Sequence, residues 1–355
     1  MVPATRQEQI FMKAAVIRAF GDPDQIQLEE VATPVPGPGE VLVKVLAVGV
    51  NRLDHYVRLG QIAPVLPFPH ILGSDAVGEV AALGAGASRF AVGERVIAMP
   101  GYPTDPAQWD TRPVTAAASY AIPGIHMPGT YAQYIVVPEH WLLRDTTGLP
   151  AEQMAALPVS LLIAIRAVQV VGEVKAGDRV LVHAGASSTG MMSIQVARAL
   201  GARVVTTVQN AASAELALRL GAELAIDTGT QDFVEPVRAW SGGQGVDVAI
   251  DNLGGDVLSR TLEAVKPMGI VVAMGFMAGT DVRFDIRRFF FAQQQLRGTL
   301  VGDIEDFAAW LDAIRQGRVR AQIDSVLPLS QAAEAHRRIA ANEARGSIVL
   351  QPWAS

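Results

Sequence analysis

The sequence predicts an α/β protein: a doubly wound parallel sheet combined with a separate β-rich, barrel-like part. Three observations carry this. Strand-like and helix-like runs alternate from Lys175 to Val301, and a parallel crossover needs a helix to return the chain. Short strands punctuated by Pro and Gly fill residues 12 to about 155. A chain of 355 residues has room for two domains.

Met12 to Arg18, Val41 to Val48 and Ala76 to Ala82 read as strands, separated by clusters such as Pro34-Val35-Pro36-Gly37-Pro38-Gly39. Consecutive strands at this spacing suit a barrel-like domain. Pro100 to Gly129 has little periodicity, and a loop of that length is usually functional or an insertion. The rhythm changes at Lys175. Val180 to Ala184 is an apolar strand and Gly190 to Leu200 a helix; Arg203 to Val208 is the next strand and Ala212 to Leu220 the next helix. Leu224 to Ile226, Val246 to Ile250, Ile270 to Met274 and Leu296 to Val301 continue as strands, with helices at Phe233 to Trp240 and Val257 to Val265. Ile304 to Gln316 and Ser330 to Ala341 then read as helices, and Ser347 to Leu350 as a last strand.

Composition removes several chemistries. The sequence has no cysteine, which excludes disulfides, thiolate nucleophiles, iron-sulfur clusters and cysteine-containing zinc sites. Acids and bases are interleaved at a net charge of -6, with no basic run to suit nucleic acid. The apolar stretch Val159 to Val171 is too short to span a bilayer and is interrupted by Arg166, so no membrane partner is expected. Residues 1 to 11 have no long apolar core, do not read as a secretory signal, and form an N-terminal extension for which Met12 is an alternative start. A cytoplasmic location is expected.

The first strand of the alternating region runs into Gly185-Ala186-Ser187-Ser188-Thr189-Gly190 and then a helix. Doubly wound folds bind a dinucleotide there, with backbone N–H groups and the helix N-terminus facing the pyrophosphate. A small-residue turn alone also suits a tight connection without ligand, and Ser187 stands where the fingerprint has its middle glycine. Ser187 and Ser188 are candidate hydroxyl donors to phosphate. About 20 residues on, NAD sites carry an acid for the ribose hydroxyls. Here the chain reads Val204-Val205-Thr206-Thr207-Val208-Gln209-Asn210, without acid, Lys or Arg. Gln209, Asn210 and Ser213 are the polar candidates, and the missing acid favours NADPH, with NADH possible. Asn252, Gly275 and Phe276 follow strand ends and are candidates for lining the nicotinamide pocket.

Further motifs give the chain a family. They are Lys13-Ala14, Pro36-Gly37-Pro38-Gly39-Glu40-Val41-Leu42-Val43-Lys44, Asn51-Arg52-Leu53-Asp54-His55-Tyr56, Gly73-Ser74-Asp75-Ala76-Val77-Gly78, Val92-Gly93-Glu94-Arg95-Val96, Leu157-Pro158 and Gly177-Asp178-Arg179-Val180-Leu181. From Met12 to Pro352 the chain resembles the medium-chain dehydrogenase/reductase superfamily, in the zinc-free quinone oxidoreductase branch that includes zeta-crystallin. The resemblance implies a GroES-like catalytic domain from residues 12–155 and 302–355, and a Rossmann cofactor domain from residues 156–301. It sets Asn51, Ser74 with Asp75, and Pro158 where zinc-dependent relatives hold their metal, and residues 100–129 where those relatives have a cysteine-rich lobe. A different metal site from Asp54, His55, His70 and Asp75 has no recognised ligand spacing. The remaining histidines read as isolated.

The resemblance also implies a reaction. In a cleft between the domains, a zinc-free enzyme must stabilise a developing enolate or quinol oxygen with hydrogen-bond donors. It points to Asn51 and Tyr56 as the catalytic polar groups beside the nicotinamide, with a loop-capping amide and a cleft-wall tyrosine as the plainer readings. Asp54 is expected to orient backbone or Arg58 rather than act as an acid. The expected activity is NADPH-dependent reduction of small-molecule quinones or α,β-unsaturated carbonyl compounds by a homodimer paired through the edge strand at 296–301. An enoyl-thioester reductase, or a nucleotide-binding crystallin-like protein with little turnover, are the alternatives.

Overall fold

The computed structural model describes residues 9–354. Most of the expected N-terminal extension, residues 1–8, lies outside them. Contacts divide the chain into two compact units, one running to Pro158 and resuming at Ile323, the other spanning Val159–Gln322.

The first unit contains β1 (Phe11–Ile17), β2 (Gln27–Ala32), β3 (Glu40–Val50), α1 (Arg52–Arg58), β4 (His70–Ile71), β5 (Ala76–Leu83), β6 (Arg95–Ala98), β7 (Tyr102–Pro103), β8 (Tyr120–Ala121), β9 (Tyr134–Pro138), β10 (Leu142–Arg144) and α2 (Ala151–Ala155). Helix α3 (Pro158–Ile165) starts at its boundary. A seven-stranded sheet runs β10-β6-β5-β3 and continues into the two strands of the returning segment described below, with β9 also on β3; a three-stranded sheet runs β2-β1-β4. Strand β3 is the spine. Val41, Val43 and Val45 alternate inward, and from Ala47 to Val50 every residue is buried. That pattern suits a strand that exposes one face first and is then covered on both.

Residues 100–129 are not a featureless loop. The β7–β8 pair closes them, and aromatic stacking pins them down: Trp109 lies over His140 at 4.8 Å, and Tyr102 over Trp141 at 5.9 Å.

The second unit alternates as expected: β11 (Arg179–Val182), α4 (Ser188–Ala199), β12 (Arg203–Val208), α5 (Ala211–Arg219), β13 (Leu224–Asp227), α6 (Val234–Trp240), β14 (Val246–Asp251), α7 (Gly255–Ala264), β15 (Val265–Ala273), α8 (Ile286–Phe291), β16 (Gln295–Gly298) and α9 (Ile304–Arg315). The six strands pair in parallel in the order β13-β12-β11-β14-β15-β16. Order reverses beside β11, which is the switch point of a doubly wound sheet. Val180, Leu181 and Val182 are fully buried, as a central strand covered on both faces requires. One face packs Leu181, Val205, Ala249 and Val271 against Val237, Leu258 and Leu262.

The chain returns to the first unit with β17 (Ile323–Pro328), α10 (Ala332–Ala340) and β18 (Ser347–Gln351), of which β18 pairs with β3 and β17 with β18. The expected return lay at residue 302, so α9 falls instead within the sheet unit. The closing strand expected at 296–301 stops at Gly298. Among the described residues no helix is long and apolar enough to cross a membrane.

Candidate active site

The turn after β11 is shaped by close backbone approach. A Cβ on Gly185 would stand 2.1 Å from Thr206 Oγ1, and one on Gly190 2.1 Å from the Ala184 carbonyl oxygen. Neither position has room for a side chain, so loop, strand and helix sit at a spacing that only glycine permits. Ala184 itself is in the left-handed region at φ 48 and donates its N–H to Thr207 Oγ1 at 3.2 Å.

Ser187 does a different job from the one its hydroxyl suggested. It caps α4, accepting the Gly190 N–H at 3.1 Å and donating its own proton to the Ala184 carbonyl at 2.8 Å. That proton is engaged in the turn, and Ser188 and Thr189 open a helix of 12 residues whose first N–H groups suit an anion. Asn252 reaches across and donates from Nδ2 to Ser187 Oγ at 3.3 Å. Its Oδ1 is buried without a partner. Gly275 packs on the same residue, for its Cβ would lie 2.2 Å from the Asn252 carbonyl. Gly275 and the half-exposed Phe276 line an open apolar groove of about 330 Å³ with Leu258, Val282 and Phe284.

The loop, Asn252 and Gly275 are therefore neighbours. Gln209, Asn210 and Ser213 stand on the next strand and helix. Gln209 is exposed, and Asn210 caps α5 by accepting the Ser213 N–H at 2.9 Å. The glycine cradle and the unpartnered Asn252 acceptor fit a dinucleotide, which needs a close backbone approach and brings donors of its own.

In the first unit, Asn51 is the N-cap of α1 and forms a capping box with Asp54. Its Nδ2 donates to Asp75 Oδ2 at 2.9 Å, and its backbone N–H donates to Asp54 Oδ2 at 2.8 Å. Asp54 orients backbone as expected, but Arg58 turns elsewhere, to His336, His55 and the Gly21 carbonyl. Tyr56 is half-buried on α1, its ring 5.7 Å from that of His55. Ser74 donates to the Pro123 carbonyl at 2.9 Å and His70 sits 3.0 Å from the Gly124 carbonyl. Among the described residues no three His, Asp or Glu side chains come together as a metal site.

Two histidines read as isolated are nothing of the kind. His336 Nδ1 accepts from Arg58 Nε at 3.2 Å, and its Nε2 lies 3.2 Å from Tyr131 Oη, which donates to Asp54 Oδ2 at 3.0 Å. Burial drives this group: Asp54 is pushed up to about 7, and His336 down to about 3 with Arg58 adding to the effect. His183 is fully buried in the second unit, between Thr207 and Thr261. Its partners lie 24 and 78 residues away. The one local signal was a histidine ending an apolar strand.

Known proteins agree with both units. Residues 37–149 match the alcohol dehydrogenase GroES-like domain, and residues 188–316 match the zinc-binding dehydrogenase family. A 2-haloacrylate reductase from Burkholderia sp. is 33% identical over 359 residues, covering 96% of this chain and 99% of its own. A quinone oxidoreductase from Pseudomonas aeruginosa is 30% identical and covers 94% and 98%. The solved structure of an NAD-dependent alcohol dehydrogenase matches with a TM-score of 0.91 at 33% identity, over 96% of this chain and 99% of that one. A six-stranded doubly wound sheet and a GroES-like unit in one chain define a two-domain oxidoreductase. The chain belongs to the medium-chain dehydrogenase/reductase superfamily, in its quinone oxidoreductase-like branch.

Proposed function

We propose that this chain is a zinc-independent, NADPH-dependent cytoplasmic reductase that transfers hydride to quinones or α,β-unsaturated carbonyl compounds. The observation that carries the reading is the turn after β11, where Gly185 and Gly190 leave no room for a Cβ and Asn252 keeps an unpartnered acceptor. The sheet unit takes the cofactor, and Asn51 and Tyr56 are the catalytic side chains of the reading. The names of the two relatives support a conjugated acceptor, since an acrylate and a quinone both carry a carbon–carbon double bond conjugated to a carbonyl carbon. Preference for NADPH is supported by residues 205–214, which hold no carboxylate to repel a 2′-phosphate.

Zinc needs thiolate, imidazole or carboxylate ligands with room to converge. The Asn51 amide is tied to Asp75, the Ser74 hydroxyl to Pro123, and Pro158 has no ligating group, so these residues do not fit the metal. Stabilising the substrate oxygen then falls to hydrogen-bond donors. When bound, the nicotinamide supplies the hydride. The first N–H groups of α4 would hold the pyrophosphate, and Asn51, fixed by its cap and by Asp75, would offer its second amide proton. Tyr56 would donate a hydrogen bond to the acceptor oxygen, where negative charge develops during reduction. A proton from solvent then completes the product.

One screen tests the reading: NADPH and NADH oxidation against quinones, enones and enoyl thioesters, with and without a chelator. Fast NADPH oxidation by a quinone or enone, undiminished by the chelator, is expected; loss of activity on chelation would remove zinc independence. Tyr56→Phe is expected to lower turnover by roughly 10² to 10³, and unchanged turnover would remove Tyr56 from the mechanism. The same reading includes a homodimer formed through β16, an edge strand that carries exposed Leu296 and is flanked by exposed Leu300, Phe290 and Phe291. Sedimentation at micromolar concentration checks it, and a clean monomer excludes it.

A further inference from the structure

Beneath the glycine turn, His183, Thr207, Thr261 and Asp251 form one polar chain, each at most 2% exposed. The direction of its hydrogen bonds follows from what each atom can do. Thr261 Oγ1 lies 2.8 Å from the Val257 carbonyl and 3.1 Å from Asp251 Oδ2, and donates its one proton to them. It therefore accepts from His183 Nε2 at 2.8 Å, so that nitrogen carries the imidazole proton. Burial lowers the basicity of His183 and keeps it neutral, which leaves Nδ1 as an acceptor for the Thr207 hydroxyl at 3.0 Å. Thr207 Oγ1 in turn accepts the Ala184 N–H. At the far end, Asp251 Oδ1 accepts the N–H groups of Leu253 at 2.9 Å and Gly254 at 2.7 Å.

Both ends of the chain are parts of the cofactor site. Ala184 opens the glycine turn. Leu253 and Gly254 hold the turn that carries Asn252, whose amide bonds back to Ser187. The ring so closed runs through four buried side chains, His183, Thr207, Thr261 and Asp251.

We propose that His183 is a positioning residue for the dinucleotide, fixing through Thr207 on one side and Thr261 and Asp251 on the other the spacing between the glycine turn and Asn252. The proposal rests on the cofactor reading above. The relay matters here because the Asn252 acceptor is buried, and a nucleotide donor meets it only if the two turns keep their distance.

The test compares Thr207→Val, Thr261→Val, Thr207→Ser and Val237→Ala in the full chain. Val237 is a core residue of α6 outside the relay, so its truncation lowers the melting temperature without touching the turns. Fluorescence titration with NADPH is expected to give about tenfold weaker binding for both valine variants, the scale of a lost buried hydrogen bond. Thr207→Ser should bind like wild type, and Val237→Ala should bind normally despite its lower melting temperature. Turnover at saturating NADPH should stay within about twofold in all four, which separates positioning from chemistry. In nucleotide-free protein, ¹⁵N spectra should show His183 protonated on Nε2 and not titrating from pH 6 to 8.5, with Nδ1 shifted in Thr207→Val. If Thr207→Val does not fold, Thr261→Val and the tautomer carry the test. Normal binding by the valine variants, an Nδ1–H tautomer, or affinity that merely follows the melting temperature overturns the proposal. Wild-type protein that binds neither NADPH nor NADH overturns the cofactor reading itself.

Discussion

Each unit buries a histidine that passes a hydrogen bond through a hydroxyl to a buried carboxylate, and the two chains differ at their ends. In the sheet unit the order is Thr207, His183, Thr261, Asp251, and the carboxylate also receives two backbone N–H groups. In the first unit it is Arg58, His336, Tyr131, Asp54, with a guanidinium on the histidine and one backbone N–H on the carboxylate. One chain is anchored in backbone at both ends and holds two turns apart. The other is made of side chains from α1, α10 and the segment before β9. The difference lies in what a mutation can break: geometry in the sheet unit, charge balance in the first.

The geometric case predicts the largest effect. Gly190→Ala forces a Cβ to within 2.1 Å of the Ala184 carbonyl, and the obstacle is backbone, not a side chain that can swing aside. The turn must open. NADPH affinity should fall by about 100-fold or more, equivalent to ~2.7 kcal/mol. In the first unit, Tyr131→Phe removes a hydroxyl but adds no atom, and should cost about 1–3 kcal/mol of stability with nucleotide binding unchanged. Titration and thermal melting of the two variants check both. If Gly190→Ala bound NADPH normally, the turn would not be the phosphate site.

The charge case predicts pH slopes of opposite sign. Asp54 in the folded state is pushed up to about 7, so it keeps a proton that the unfolded chain has lost above roughly pH 4. Its contribution to stability therefore falls as pH rises from about 4 to 7. His336 is pushed down to about 3, so between about pH 3 and 6.5 the unfolded chain binds a proton that the folded chain refuses, and stability rises with pH. Over the shared window, about pH 4 to 6.5, the two oppose each other and nearly cancel. Arg58 and His55 face the same histidine and favour its neutral form. His336→Gln should leave the Asp54 slope exposed, with stability relative to wild type falling by up to about 1.4 kcal/mol per pH unit. Asp54→Asn should leave the opposite slope. Urea unfolding at pH 4.5, 5.5 and 6.5 reads both, and difference curves of the same sign would sink the compensation.

The same contrast explains what the sequence revealed. The glycine turn, the parallel order and the Asn252–Gly275 neighbourhood follow from residues close together at strand ends, where small residues and apolar runs carry the pattern. The Asp54–Tyr131–His336–Arg58 group joins positions 77, 205 and 278 apart, and no local pattern encodes such pairs. Strand β17 escaped because Asp324, Ser325 and Pro328 interrupt its alternation and none of its residues is fully buried. Helix α8 escaped for the opposite reason: Ile286, Phe290 and Phe291 are apolar and exposed, so they mark no core-facing stripe. Asn51 was expected, from the resemblance, as a polar group beside the nicotinamide; the structure shows it as the cap of α1, which had been weighed only as a plainer reading.

Asn51 and Asn210 are both asparagine caps at candidate sites, and comparing them yields the smallest and most selective prediction. Asn51 is locked by Asp54 and Asp75, so replacing it disturbs three residues at once. Asn210 makes a simple cap, accepting the Ser213 N–H. Asn210→Ala should cost about 1 kcal/mol, the usual worth of a cap. Asn210→Asp should cost almost nothing in stability, because aspartate caps as well as asparagine. It does place a carboxylate just after β12, where acids exclude a 2′-phosphate. The ratio of NADPH to NADH affinity should therefore drop about tenfold, or ~1.4 kcal/mol, while the melting temperature holds. Such a result would separate the cap from the cofactor choice at a single residue. An unchanged ratio in a stable Asn210→Asp protein would mean that the preference for NADPH is set elsewhere on the sheet unit.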